Sequence, residues 1–193
     1  MRGVALMTLV AVTGCGAGAT RSEVSARFAE RTVYRSRGTS FAETIRGAFD
    51  WKTKKGWAVE RAARVETRLV QLGKRCYRRY PGQQWKRSSA YDADGLCDPG
   101  VLRDPATEDD LVRSVASNWE SLGPASVSGI RTTHYRGRLN VGAVKGPIDL
   151  WVDGDGVVRR EEQRSEGGFV SVLEYFDLGI DVQVQPPRLG PAG

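Results

Sequence analysis

Few residues in this chain could carry out chemistry, because its 193 residues include one histidine and three cysteines. His134 stands beside Tyr135 in a run with strand-like spacing, and neither a nucleophile nor an orienting acid can be assigned to it. The sequence contains no glycine-rich phosphate loop, HExxH motif or GxSxG motif. We therefore expect a structural or exposed His134, no catalytic residues and no cofactor.

A metal site is the next possibility that the acidic residues raise. Asp153-Gly154-Asp155-Gly156 has the start of a calcium loop, but it lacks the further spaced oxygen ligands and the terminal glutamate. Asp-Gly between alternating segments is a hairpin turn signal. Glu161, Glu162 and Glu166 stand among three arginines, which is typical of a solvated face of paired charges. We predict a turn, a charged face and no metal site.

Cys15 ends a short hydrophobic N-terminus. Residues 3–12 are almost entirely apolar, and Thr13-Gly14 places two small residues before the cysteine. Ten apolar residues rise about 15 Å as a helix, half of the roughly 30 Å hydrocarbon core, so they cannot form a permanent span. Val12-Thr13-Gly14-Cys15 resembles the lipobox of bacterial lipoproteins, whose cysteine receives a diacylglycerol. The resemblance implies a lipid anchor on Cys15 at the extracytoplasmic face of the cell membrane. The alternative is an ordinary cysteine.

This interpretation divides the chain into a signal peptide at 1–14, a lipidated cysteine with a flexible tether at 15–21, and one domain at 22–193. Outside the cytoplasm, Cys76 and Cys97 are a matched pair in a compartment where disulfides persist. A bridge between them would stabilise the fold by roughly 3 kcal/mol in the loop-closure description. Zinc is a poor alternative, because neither cysteine belongs to a CxxC pair.

The net charge of +6 is the sum of a basic first half and an acidic second half. Residues 21–87 hold 18 Lys and Arg against 6 Asp and Glu, whereas residues 88–193 hold 10 against 17. Nucleic acid is the wrong partner outside the cell, so anionic headgroups or wall polymers fit the basic half better. The other interpretation is that the two halves neutralise each other across the fold. The candidate contacts are Lys52, Lys54, Lys55, Arg75, Arg78, Arg79, Lys86 and Arg87.

Periodicity predicts mostly short strands. An amphipathic pattern predicts a helix over 22–34, and the strongest helix signal begins at Thr107 and runs to Trp119, with Gly123-Pro124 ending it. Alternation of period two and turn residues predict strands over 41–51, 57–63, 64–72, 75–80, 83–87, 127–141, 148–152, 157–163, 169–176 and 180–184. Such short spacings favour antiparallel neighbours. The expected fold is α+β, a single large curved antiparallel sheet with helices packed on its concave face.

Several stretches of this pattern resemble one family. Arg75-Cys76-Tyr77-Arg78 with Gly82-Gln83-Gln84-Trp85, the run 129–137, the hairpin 148–160 and the end 174–179 are similar to the LolA/LolB-like superfamily of bacterial lipoproteins. Within it they most resemble the actinobacterial LprG/LppX type. The resemblance covers nearly the whole mature chain and implies an open half-barrel whose concave side can hold acyl chains.

An apolar sheet face must be covered either by the protein itself or by a ligand, since wet apolar surface costs about 25 cal/mol per Å². Two hypotheses follow. The protein binds or carries a lipid or other hydrophobic ligand, or it is a lipid-tethered interaction module of the envelope with a filled core. We expect a monomer in either case. The candidate lining, each member of which could equally be plain core, comprises Ile45, Phe49, Trp57, Val115, Trp119 and Tyr135.

Overall fold

The computed structural model describes residues 25–36, 39–88, 104–106, 108–141 and 144–189. They form eleven strands and one helix. In chain order these are β1 (Ser25–Ser36), β2 (Thr39–Asp50), β3 (Lys55–Ala62), β4 (Val65–Leu72), β5 (Arg75–Arg79), β6 (Lys86–Ser88), α1 (Glu108–Val115), β7 (Ala116–Val127), β8 (Ile130–Val141), β9 (Val144–Asp153), β10 (Val158–Arg164) and β11 (Phe169–Phe176).

All eleven strands belong to one antiparallel sheet with the order β6-β5-β4-β3-β2-β1-β11-β10-β9-β8-β7. Strands that follow each other in the chain are neighbours, except β6 and β7, and the pairing of β1 with β11 joins the two halves. The sheet does not close, because β6 and β7 lie at opposite ends of this order. The expectation of a single large antiparallel sheet is confirmed.

The predicted helix over 22–34 is wrong, since this region forms β1. Its buried residues Ala26, Phe28 and Thr32 alternate with exposed Arg27 and Arg31, which is the period of a strand. Positions four apart share a face in a helix and also in a strand, so the sequence pattern fitted both. Hydrogen bonding to β2 on one side and β11 on the other decides for the strand.

The second predicted helix is shorter than expected, because α1 ends at Val115 and the chain continues as β7. Gly123 and Pro124, predicted to end the helix, lie inside β7. The pairing of β7 with β8 shifts register just before Gly123, which has a φ of 95°. Edge strands tolerate such bulges and prolines, since one side of the backbone needs no partner.

The helix content of the expected fold is therefore corrected. Among the described residues the sheet carries one eight-residue helix rather than a layer of helices, and none of their helices is long and apolar enough to cross a membrane. The predicted last strand over 180–184 also forms no ladder in the sheet. It belongs instead to a C-terminal tail that begins beside Ser25, whose hydroxyl donates to the Ile180 carbonyl at 2.6 Å. Leu189, the last described residue of the tail, forms an isolated bridge with Trp85.

The sheet has an inner face, defined by two buried apolar clusters, and an outer face opposite it. The first cluster lies on the half of the sheet around β1 and contains Ala26, Phe28, Ile45, Phe49, Trp51, Ala58, Leu69, Leu173 and Tyr175. The second lies around β8 to β10, where Val112 of α1 joins Leu139, Ile148, Leu150, Val152 and Val158. Directly paired residues share a face, so the register places both clusters on the same side of the sheet.

Candidate functional site

Four of the six predicted cavity residues lie on the inner face. Ile45 and Phe49 are 8% and 4% exposed within the first cluster, and Trp119 and Tyr135 pack against the second. Trp57 is corrected, because it pairs with Ala48 and Val70 on the outer face and is 40% exposed. Val115 is corrected as well, since it is 43% exposed at the last position of α1.

Gly137 makes room for the tryptophan that covers the second cluster. A Cβ built on this glycine would lie 2.8 Å from the ring of Trp119, closer than carbon atoms can approach. Arg113 of α1 places its guanidinium 5.2 Å from the Trp119 ring centre and 4.6 Å from that of Tyr135. These cation–π contacts join the helix to the sheet at this end of the inner face.

A band of polar side chains crosses the inner face beyond the first apolar cluster. Its carboxyl groups belong to Glu30, Glu43 and Glu60 on three neighbouring strands. Ser171 donates to Glu30 Oε1 at 2.7 Å, which ties the band to β11. Burial, a hydrogen bond to Glu43 and the charge of Glu43 together raise the pKa of Glu60 to about 7, against the opposing charge of Arg78. Near neutral pH, Glu60 is thus partly protonated beside Glu43.

Three aromatic rings follow the polar band at the far end of the inner face. Tyr34 stands 6.1 Å from Phe41 and 5.4 Å from Phe169, measured between ring centres. Tyr34 and Phe41 are 44% and 42% exposed. The alternation of β2 predicted that Phe41 shares a face with Ile45 and Phe49, but only the β1–β11 pairing brings Phe169 to it. We call Tyr34, Phe41 and Phe169 the aromatic rim.

The predicted basic residues separate into three groups. Lys52, Lys54, Lys55 and Arg75 lie at the two turns that adjoin each other through the Gly73 amide, which donates to the Lys54 carbonyl at 2.8 Å. Ser25 pairs with Asp50 next to these turns, so the described chain begins at the same end of the sheet. We call this end the lysine edge.

Among the rest of the predicted basic set, Arg79 places its guanidinium 5.0 Å from the ring centre of Trp85. Lys86 and Arg87 are exposed on the short strand β6. Arg78 is corrected as a surface contact, because it is 6% exposed, lies on the inner face and donates to the Tyr80 hydroxyl at 3.1 Å. Arg78 and Arg79 are consecutive residues of β5, so their side chains point to opposite faces of the sheet.

Two of the three cysteines, Cys15 and Cys97, lie outside the described residues. Cys76 is 4% exposed and pairs with Gln71 on the inner face. The lipid anchor on Cys15 and the bridge between Cys76 and Cys97 both stay predictions.

His134 and Asp153 have structural partners. His134 Nε2 lies 2.8 Å from Asp149 Oδ1, and its ring stacks on Trp151 at 4.3 Å. Arg136 donates to the same carboxylate at 2.9 Å, which raises the pKa of Arg136. Asp153 accepts bonds from the amides of residues 155 and 157 and from the arginine at 159, so its oxygens hold the predicted hairpin turn.

The acidic run of β10 is paired with arginines as expected, but part of it is buried. Glu162 bonds to Arg160 and Arg164, and the exposed fraction of its side chain is 12%. Glu161 is 3% exposed and faces inward, where Gln163 donates to it. The prediction of a solvated face is wrong for these two residues, because Glu161 lies on the inner face between Leu150 and Leu173 and Glu162 is held by two arginines.

Comparison with solved structures finds proteins with a similar fold. The crystal structure of the lipoprotein LppX of Mycobacterium tuberculosis is 17% identical with a TM-score of 0.58, and the match covers 83% of this chain and 89% of that chain. LprF from Mycobacterium bovis is 18% identical with a TM-score of 0.60, covering 89% and 92%. A scan against family models and a search of curated proteins give no match. The likeness to LppX and LprF confirms the fold that the sequence resemblance implied.

Proposed function

We propose that this protein is an extracytoplasmic lipoprotein, anchored to the cell membrane through Cys15, that holds a lipid or other hydrophobic ligand against the inner face of its sheet. The observation that carries the proposal is the open antiparallel sheet shared with LppX, itself a lipoprotein, and LprF. The cysteine motif supports the anchor. No catalytic step is assigned to the protein.

The inner face supplies surfaces for both parts of an amphiphile. Apolar chains would lie along the clusters that contain Phe28 and Leu150, which are 1% and 0% exposed, so these clusters would have to open to admit a chain. The band of carboxyl groups next to the first cluster would bond hydroxyl groups, since a protonated Glu60 is a donor as well as an acceptor. The aromatic rim, with two rings more than 40% exposed, marks the end where a chain would enter.

The lysine edge supports an orientation on the membrane. A tether from Cys15 reaches the described chain at Ser25, next to the turns that carry Lys52, Lys54 and Lys55. Basic residues near an anionic bilayer contribute about 1 kcal/mol each, and salt weakens the effect. The lysine edge would therefore face the membrane, with the aromatic rim at the opposite end of the strands.

The anchor is tested by labelling cells with a fatty-acid probe. We expect label on the wild-type chain and none on Cys15→Ala, whose thiol is absent. Unlabelled wild-type protein would remove the anchor from the proposal.

The ligand is tested on the Cys15→Ala protein, because any lipid that it retains cannot be the covalent anchor. Native mass spectrometry of this protein after expression in its own host should detect a bound lipid. Phe41→Asp, which places a charge in the aromatic rim, should reduce the bound fraction. Ser40→Asp is the matched control, since residue 40 is exposed one position away on the other face of β2. Consistent absence of lipid from both control and parent overturns the carrier function.

The orientation is tested by sedimentation of the Cys15→Ala chain with vesicles that contain phosphatidylglycerol. Replacing Lys52, Lys54 and Lys55 by glutamine should weaken binding about 100-fold at low salt, at about 1 kcal/mol for each lysine. Arg64→Gln is the control, because it removes an exposed charge from the β3–β4 turn at the opposite end of the strands. Equal binding of all variants would contradict the orientation.

The second candidate is the tethered interaction module without a ligand. It is favoured by the packing of Ile45 and Phe49, both less than 9% exposed inside the first cluster. Under this alternative the Cys15→Ala protein carries no lipid, and Phe41→Asp has no bound lipid fraction to reduce. The same mass spectra therefore separate the two candidates.

A further inference from the structure

Three adjoining hollows cross the outer face of the sheet from β2 to β5 and reach the segment that precedes β6. The first, of about 260 Å³, lies beside Trp57, and it shares Glu66 and Arg68 with the second, of about 360 Å³. The second shares Arg79 and Gln83 with the third, of about 700 Å³, which lies between Trp85 and the C-terminal tail. Because neighbouring hollows have common walls, they form one elongated surface, which we call the outer track.

The charge of the outer track is strongly positive. Five arginines and one carboxylate line it, namely Arg46, Arg61, Arg68, Arg79, Arg188 and Glu66. Arg61 and Arg68 hold the pKa of Glu66 below its usual range, so this carboxylate is ionised and leaves a surplus of guanidinium groups. Arg46, Arg68 and Arg79 lie in one cross-strand row through Val59, on β2, β4 and β5. With about 4.8 Å between strands, the row presents positive charge over about 14 Å.

Aromatic rings and amides lie between these charges. Trp57 lines the first hollow and Trp85 the third, and the guanidinium of Arg79 stands over the Trp85 ring at 5.0 Å. Trp57 is 40% exposed on this face. Gln83, Gln84 and Gln185 add both donors and acceptors to the largest hollow.

We propose that the outer track binds an anionic polysaccharide, a chain of sugar rings that carry carboxylate or phosphate groups. The apolar face of a sugar ring stacks on an indole, its hydroxyls bond to amides, and its acid groups pair with guanidinium forks. The repeat of ring and charge along the track matches a polymer better than a single small anion.

Two other anionic partners fit the geometry less well. An extended peptide would need backbone partners, but the track crosses the middle of paired strands, whose amides and carbonyls bond each other. A bilayer would meet projecting side chains such as those of the lysine edge, whereas the track is a set of hollows on the side of the sheet. The proposal concerns a different face from the inner one and does not rest on the proposed ligand carrier.

The test measures binding of a fluorescent oligogalacturonate to the purified Cys15→Ala chain by polarisation. We expect saturable binding of the oligogalacturonate that weakens with salt. Uncharged maltodextrin at the same concentration should not bind. Arg68→Gln and Arg79→Gln should each weaken binding about tenfold, as the loss of a charge-assisted bond does. Arg64→Gln and Lys55→Gln remove exposed charges outside the track and should leave the affinity within about twofold.

Competition distinguishes the polymer from the other partners. A poly-glutamate peptide that displaces the oligogalacturonate at lower concentration would overturn the proposal in favour of an acidic peptide. Displacement by phosphatidylglycerol vesicles that is lost on replacing Lys52, Lys54 and Lys55 would also overturn it, because it would move the site to the lysine edge. Equal binding by Arg79→Gln and the parent, both with unchanged circular dichroism, would have the same consequence.

Discussion

Replacing Glu60 by glutamine should change how the stability of this protein depends on pH. Burial, the hydrogen bond to Glu43 and the charge of Glu43 together raise the pKa of the Glu60 carboxyl from 4.5 to about 7. A carboxyl whose pKa is higher in the folded chain binds more protons there than in the unfolded chain. The free energy of unfolding therefore falls as the pH rises from 4.5 to about 7, and the favourable contribution is fully present only below this window.

The size of the effect follows from the two pKa values. At about 1.36 kcal/mol for each pKa unit, the interval between 4.5 and about 7 corresponds to about 3 kcal/mol. Glu60 is only partly buried, so solvent screening reduces this to about 1 to 3 kcal/mol. Glutamine keeps the shape, cannot ionise, and donates from its amide to Glu43 at every pH. Glu60→Gln should match the wild type near pH 5 and be more stable than it by about 1 to 3 kcal/mol near pH 8.

The assay is urea unfolding followed by tryptophan fluorescence at several values between about pH 5 and pH 8. Glu166→Gln is the matched control, because the exposed fraction of that side chain is 62% and its replacement should not alter the profile. Profiles of Glu60→Gln and the wild type that stay parallel over the whole range would refute the raised pKa of Glu60.

Two further substitutions test the packing of the second half of the sheet. Gly137→Ala should lower the free energy of unfolding by about 1 to 3 kcal/mol, because its Cβ would overlap the ring of Trp119, whereas Gly154→Ala meets open space and should change it by less than about 0.5 kcal/mol. Asp149→Asn should lower the free energy of unfolding by about 1 to 3 kcal/mol. The Asp149 side chain is 3% exposed, and its carboxylate contacts both the His134 imidazole and the Arg136 guanidinium on the outer face. Asp155→Asn is its exposed control, and urea unfolding measures all four variants.

Local pattern was sufficient for most of the hairpins. The alternation around Phe41 and Phe49 and the turn signals at Gly73 and Asp153 predicted strands that the structure contains. These features depend on neighbours in the chain, because a turn residue and an alternating pattern act over a few positions. The region 22–34 was predicted as a helix, because its pattern fits both structures and part of the pairing that makes it a strand comes from β11, about 140 positions away in the sequence.

The functional surfaces needed the tertiary structure. The sequence grouped Arg78 with Arg79 and Trp57 with Ile45, but a strand sends neighbouring side chains to opposite faces, and only pairing tells which face is inner. The outer track joins Arg46 to Arg79 and to Arg188 of the tail, a combination without any sequence spacing of its own.

The sequence by itself determined an antiparallel, hairpin-built chain with a charge split and a candidate lipid anchor at Cys15, because these properties are local. The tertiary structure decided the rest. Pairing between distant strands set the faces, brought Glu43 to Glu60 and gathered the lysines of two separate turns at one edge beside Ser25. The physical reason is that burial and charge proximity depend on long-range register, which no single strand specifies.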